Sequence, residues 1–349
     1  MQSNILLSRY ITLLAKKYAT CWFLVKAIVI KNRERLLSLP AEAVFRAMNF
    51  PSKTGEPLAI LETPFLAGAA SKDAKLNALD LSVVDALRHE GSCSTTIDAL
   101  GVPLSNELLS DALCLSNRLL RQSRQPGQTE RTILSSRADD VSEFPSLFAW
   151  GLENQLLDIV EAYLGTQCGY GGVALTRSKA DGKEMSTRIW HRDREDRRMV
   201  KIIVYLGDVA QEDGPFEILQ PQAQMVLDSM LPWPYATVKD VKLHKVVGDY
   251  GAMPVTRSFT GQKGTIIFVD TARCHHRGRP PKRLDRSALF YTYFPQNPRH
   301  PFFCDQTKIS PQKLRELSEK MPPRQQACIH WRDSIPFLAR LVPNSRMTI

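Results

Sequence analysis

The segment "RMVKIIVYLGDV" (residues 198–209) is a nearly continuous apolar run rich in β-branched residues, the pattern of a strand buried on both faces. Patterns on either side of it differ in kind. Residues 1–50 read as helical, and residues 51–80 as loop and connector. "LSVVDALRHEG" (81–91) reads as a short helix ended by Gly91, and residues 103–122 as a helix with Ser105 as N-cap. After a polar stretch at 123–142, "FPSLFAWGLENQLLDIVEAYLGT" gives a long amphipathic helix with Gly165 as its C-terminal cap.

Beyond Gly165 the texture changes to strand. "YGGVALTRSKADGKEMSTRIWHRD" reads as two strands joined by a turn at Ala180-Asp181-Gly182, and "QEDGPFEIL", "KLHKVVG", "GTIIFVDT" and "RSALFYTYF" continue the series. A late helix, "SPQKLRELSEKM", has Ser310 as N-cap and Pro311 at its first position, and stops at Pro322-Pro323. A mostly helical first half and a mostly β second half predict an α+β protein with a sandwich or barrel core.

Composition narrows the setting. With 349 residues, 43% of them hydrophobic, the chain can bury a full core. Its seven cysteines are scattered and form no CxxC pair, which predicts reduced thiols in a cytoplasmic setting and argues against a structural zinc site. The net charge of +10 suits anionic partners, but no nucleic-acid motif accompanies it, so nucleic acid is not expected. In the apolar N-terminus the longest charge-free run, Tyr18 to Val25, is too short to span a bilayer. Its amphipathic helices are expected to pack on the protein itself in preference to an anionic membrane surface.

The residues that carry chemistry fall in two places. His191 and Asp193 are two apart at the end of a predicted strand, so both side chains face one side. By itself His-x-Asp is common, and a surface pair is its ordinary meaning. Downstream, "GTIIFVDTARCHHRGRPPKRLDRSALFYTYF" carries His275 and His276 on a turn, then Arg286 entering another strand. If His276 meets His191 and Asp193, the set is a two-histidine, one-carboxylate triad that caps one face of an octahedral metal and suits non-haem Fe(II). The planar guanidinium of Arg286 suits bidentate binding of a carboxylate.

"WHRDREDRRMVKIIVYLGDVAQEDGPFEIL", followed by "DTARCHHRGRPP" and "RSALFYTYF", resembles the phytanoyl-CoA dioxygenase-like Fe(II)/2-oxoglutarate oxygenases, over roughly residues 81–300. The resemblance needs His-x-Asp, a distal His and an Arg ten residues later, in that order. It implies that His191, Asp193 and His276 ligate and form the catalytic centre, and that Arg286 holds the far carboxylate of 2-oxoglutarate. His276 is preferred to His275 because it precedes Arg277-Gly278 as in the family's His-Arg-Gly pattern and gives the ten-residue spacing. The implied fold is a double-stranded β-helix, a jelly-roll barrel with flanking helices. The implied domains are a helical extension (1–80), the oxygenase domain (81–305) and a C-terminal helix and tail packed on it (306–349). The implied cofactors are Fe(II), 2-oxoglutarate and O2, and the implied reaction is oxidation, in the first place hydroxylation, of a C–H bond in a small molecule, with release of succinate and CO2. Related halogenases lack the carboxylate that Asp193 supplies, so halogenation is disfavoured.

The alternative is a catalytically silent jelly-roll module that binds an anionic ligand or membrane surface. Arg188, Arg192, Arg194, Arg197, Arg198 and Lys201 around His-x-Asp read either as a mixed-charge surface, partly neutralised by Glu195 and Asp196, or as a rim for an anionic substrate; Arg273, Arg277, Arg279, Lys282 and Arg283 add to the second reading. "HWRD" (His330 to Asp333), His89, His244 and His300 read as structural or surface residues. Trp190 and Tyr205 read as barrel lining.

Overall fold

The computed structural model describes residues 33–49, 76–127, 130–248, 255–305 and 307–345. Those residues divide into two compact units, one holding residues 33–49 with 340–345 and the other residues 76–339. Residues 33–49 are helical, and Ser38, Ala41, Phe45 and Met48, spaced by three and four, form the covered face. The expected helix over 1–32 and connector over 51–75 lie outside the described residues.

The larger unit is built in chain order from α1 (Ala78–Glu90), β1 (Ser92–Thr96), α2 (Ser105–Ser123), β2 (Ile133–Ser135), α3 (Ala138–Glu143), α4 (Pro145–Trp150), α5 (Asn154–Leu164), β3 (Cys168–Ser178), β4 (Val200–Tyr205), β5 (Phe216–Leu219), α6 (Pro221–Met230), α7 (Asp240–Gly248), β6 (Thr256–Phe259), β7 (Thr265–Val269), β8 (His276–Gly278), β9 (Arg286–Pro295), α8 (Pro311–Ser318) and α9 (Pro323–Ile329). The strands form a six-stranded sheet in the order β1-β7-β4-β9-β3-β2 and a three-stranded sheet in the order β6-β5-β8. All strand pairs are antiparallel. From β4 onward the chain passes from one sheet to the other and back, the winding of a double-stranded β-helix.

Side-chain alternation decides what each face meets. Val200, Ile202 and Val204 of β4, Ile266 and Phe268 of β7, and Leu289, Tyr291 and Tyr293 of β9 join the apolar faces of α1, α2, α4 and α5 in one cluster. Ile203, Tyr205, Ile267, Val269 and Ala288 point the other way and meet Phe216, Ile218 and Phe259 of the small sheet. Both faces of β4 are therefore buried, as its apolar run requires, and each such side chain contributes about 1.5–3 kcal/mol. The Tyr205 hydroxyl ties the sheets together: it donates to Phe259 O and accepts from Phe216 N, both at 2.8 Å.

Several local expectations change. The first helix starts at Ala78, because Asn77 and Asp80 cap each other reciprocally (2.9 and 3.0 Å). Ser105 is the first helical residue and not the N-cap; its hydroxyl donates to Val102 O and accepts from the Trp150 indole. The polar stretch 123–142 contains β2 and α3. The long helix expected over 144–166 is two helices, broken at Gly151-Leu152, where Tyr293 Oη donates to Gly151 O at 2.6 Å. Its end at Gly165 is as expected.

The second strand of the expected hairpin after Gly182 shrinks to two single bridges, Trp190 with Val238 and His191 with His276. "KLHKVVG" is helical within α7, not a strand: Leu243 and Val247, four apart, face the Trp190 cluster. That cluster, built from α6, α7 and Val255, also holds Trp190 itself, which therefore does not line the barrel, whereas Tyr205 does. At the C-terminus the helix ends at Ser318, short of the expected stop at Pro322-Pro323, and Pro323 opens a second one, α9, whose Cys328 and Ile329 join the larger cluster.

A methyl group on Gly151 would lie 2.5 Å from Tyr291 Cδ1 and 2.6 Å from Tyr170 Oη, both on buried rings. Gly151→Ala is expected to cost about 2 kcal/mol by overpacking, read as a lower urea midpoint with an unchanged m-value.

Candidate functional site

The inner face of the barrel is polar at both ends of its apolar middle. On β9, Arg286, Ala288, Phe290 and Thr292 face inward; on β4, Lys201 faces inward in phase with Ile203 and Tyr205 and stands opposite Thr292. Arg286, Phe290, Thr292 and Lys201, with His191 and His276, line a cavity of about 160 Å³.

His191 and His276 are placed by a reciprocal backbone pair: His191 N donates to His276 O at 3.1 Å, and His276 N to His191 O at 2.9 Å. Their rings stand 4.3 Å apart, centroid to centroid. Each ring is turned by its own chain. His191 Nδ1 donates to Ile189 O (2.7 Å) and His276 Nδ1 to Cys274 O (3.1 Å). A carbonyl only accepts, so each Nδ1 carries the hydrogen and each Nε2 keeps its lone pair. Asp193 is seated by its N–H on Thr271 O (3.0 Å), and its Oδ2 lies 3.7 Å from His276 Nε2. One ligand atom from each of the three residues falls within 4.8 Å of the others, and all three residues are buried. The sequence-predicted trio is thus brought together, and His275 is turned away onto Gln224 and Ala236 O.

Protonation suits cation binding. Burial lowers both imidazoles below their usual range, with Lys201 adding to the effect. Burial alone would raise the Asp193 carboxyl, but the Lys201 ammonium, 2.5 Å from Oδ2, and the two imidazoles hold it below the usual range. Burial pushes the Glu195 carboxyl up to about 7, and the Asp193 charge adds to this. Two neutral nitrogen donors and one ionised oxygen donor in one buried cluster fit a divalent metal such as Fe(II).

Arg286 is buried beside Gly278, two residues past His276 on β8, and a Cβ at Gly278 would collide with its guanidinium. It donates to Gly214 O and, among the described residues, forms no ion pair. Residues two apart on a strand are about 7 Å apart, so the cation stands one pleat from the His191–Asp193–His276 cluster.

The basic crowd around His-x-Asp sorts out residue by residue. Arg188 is fully buried on Asp181, Ser178 and three carbonyls, which corrects the surface reading for that residue. Arg192 pairs with Asp228, and Arg197 and Arg198 are exposed. Glu195 and Asp196 are buried, so they do not neutralise a surface. Arg277 is held by Glu217 (2.8 Å) and Asp240 (3.0 Å) and lies over the Trp190 ring. Lys201 belongs to the site. Its signal was in the sequence, as the one charge inside an apolar run buried on both sides.

A second buried group, Glu161 with Cys168 and Cys328, has its carboxylate engaged by Arg324 (2.8 Å) and Cys168 N (3.3 Å). No disulfide forms among the described cysteines, and no helix among the described residues is long and apolar enough to cross a membrane.

No family model matches the chain, and no curated protein matches it. Solved structures similar to it include AviO1 from Streptomyces viridochromogenes Tue57 (15% identity, 63% of this chain and 96% of that chain, TM-score 0.43). EctD from S. alaskensis, solved with bound Fe, matches at 15% identity over 66% and 80% of the two chains, TM-score 0.42. HygX from Streptomyces hygroscopicus, solved with nickel, 2-oxoglutarate and hygromycin B, matches at 15% over 63% and 88%, TM-score 0.41. Likeness at this level assigns no chemistry; the site rests on the residues above.

Two ordinary imidazoles would lose roughly tenfold in metal affinity between pH 7.5 and pH 6.0, because protons compete for both. With both imidazoles held neutral by burial, the loss is expected to stay under about threefold. Calorimetric titration with Mn(II) or Fe(II) at the two pH values checks this.

Proposed function

We propose that the chain is an Fe(II)- and 2-oxoglutarate-dependent oxygenase that oxidises a C–H bond of a small molecule, most simply by hydroxylation. The observation that carries this reading is the pairing of the His191–Asp193–His276 cluster, whose two histidines line the cavity, with a buried arginine that lines the same cavity and, among the described residues, forms no ion pair. A buried, unpaired guanidinium costs several kcal/mol unless an anion joins it. One pleat separates that cation from the cluster, which matches a ligand with a carboxylate at one end and a metal-chelating group at the other.

In this reading His191, Asp193 and His276 would hold the metal, through the two Nε2 atoms and a carboxylate oxygen. Bound there, Fe(II) supplies the oxidative decarboxylation of 2-oxoglutarate by O2 to succinate and CO2, and the coupled oxidation of substrate. Arg286 binds the distal carboxylate, and Gly278 leaves its guanidinium room to reach it. The carbonyl bonds of Ile189 and Cys274 keep both Nε2 atoms aimed inward. Phe216 and Phe290, which also line the cavity, keep water from the reacting groups. Residues 81–305 are assigned to the catalytic domain.

The test is succinate formation from 2-oxoglutarate by the purified protein with Fe(II) and O2, screened across candidate substrates. The wild type is expected to form succinate, with a slow background turnover when no substrate is present. His191→Ala, Asp193→Ala and His276→Ala should each reduce that rate by at least about a hundredfold while keeping the fold. Absence of succinate under every condition, with bound Fe(II) verified, contradicts the assignment.

A further inference from the structure

The reading above leaves one charged group of the cavity without a task, Lys201. We propose that Lys201 is the receptor for a carboxylate on the primary substrate, so that the enzyme acts on an organic acid at a carbon close to its acid group. This rests on the oxygenase assignment and gives its substrate class.

Position is the first support. Lys201 enters the cavity opposite Thr292, whereas Arg286 enters six residues earlier on the same neighbouring strand. Six strand residues span about 20 Å, so the two side chains start from opposite ends of the cavity wall, Lys201 reaching Asp193 and Arg286 reaching Gly278. A co-substrate anchored on Arg286 and chelating at His191, Asp193 and His276 does not need Lys201.

Accessibility is the second. The Lys201 side chain is 14% exposed, against 3–4% for Asp193 and His276, so it lies nearer solvent than either of those two. Thr292 stands opposite it, Thr307 packs on Gly172, the cross-strand partner of Thr292, and both threonines line the cavity.

Charge is the third. Among the described residues the ion pair of Lys201 is with Asp193 alone. A divalent cation held by Asp193 draws on that same carboxylate and leaves the ammonium facing a cationic neighbour in a nearly dry space. Glu195 also acts on Lys201, but it does not line the cavity and accepts from Arg194 N at 2.9 Å. An anion delivered from the entrance restores the balance. Because Lys201 Nζ lies 2.5 Å from Asp193 Oδ2, a carboxylate held there presents its neighbouring carbons to the metal-bearing face.

The experiment is anaerobic calorimetry on the full chain loaded with Fe(II) and saturated with 2-oxoglutarate. The probes are acetate and benzoate, against their uncharged counterparts acetamide and benzamide. The carboxylates are expected to bind at least tenfold tighter than the amides. Lys201→Met should bring the two classes within twofold of each other, Lys201→Arg should keep the preference, and 2-oxoglutarate affinity should change less than threefold in both variants. Equal binding of acids and amides to the wild type, or no binding of either, overturns the proposal. So does a Lys201→Met variant whose main defect is in 2-oxoglutarate binding, which would give the lysine to the co-substrate. Failure of the loaded wild type to bind 2-oxoglutarate at all contradicts the oxygenase assignment and this inference with it, and is seen before any probe is added.

Discussion

Two backbone hydrogen bonds between His191 and His276 carry the site. They join a segment that is otherwise outside the strands to β8, the short edge strand of the small sheet, and they do so at the pair of residues whose side chains are to converge. Once that bridge is made, most of the geometry follows. The rings stand side by side, each Nδ1 meets a carbonyl two residues back, and Asp193, two residues on from His191, arrives on the same side. The rest of the molecule can be understood as what keeps this bridge from slipping, because a shift by one residue would turn His276 out and His275 in.

The support comes from an unexpected quarter. The stretch 220–248 leaves the small sheet after β5 and forms α6 and α7, ahead of β6. Its apolar residues close over Trp190, the neighbour of His191, and its Val238 pairs with Trp190 through the backbone. Gln224 of α6 holds the N–H and the ring of His275, which fixes the choice between the adjacent histidines. Asp240 receives both the Trp190 indole and Arg277. The segment thus grips the neighbours of the cluster on both strands and, among the described residues, makes no hydrogen bond to any of the three ligand candidates.

The sequence shows some of this clearly and hides the rest for physical reasons. Strands β4, β7 and β9 are legible because they are apolar on both faces and bounded by turn residues. His191, Asp193, His276 and Arg286 are legible as a spacing, and alternation along a strand explains why one of two adjacent histidines faces in. The break at Gly151 is hidden, because it depends on Tyr291 and Tyr293, some 140 residues away in the chain. "KLHKVVG" misleads because a seven-residue stretch with two valines fits either period, and tertiary contact with Trp190 selects the helix. The basic crowd misleads most. Charge invites a surface reading, yet Arg188, Arg277 and Lys201 each have a partner that draws them inside.

The central claim is that one keto acid spans the distance between the triad and Arg286. Anaerobic addition of Fe(II) and 2-oxoglutarate, followed by visible absorption, tests it most directly, because the weak charge-transfer band reports chelation by the keto-acid end, and the 2-oxoglutarate concentration it requires reports how firmly the far carboxylate is held. The band should appear at one Fe(II) per chain, require 2-oxoglutarate, and demand at least tenfold more of it in Arg286→Met. A band that never forms with bound Fe(II), or one whose 2-oxoglutarate dependence ignores Arg286, would contradict the account.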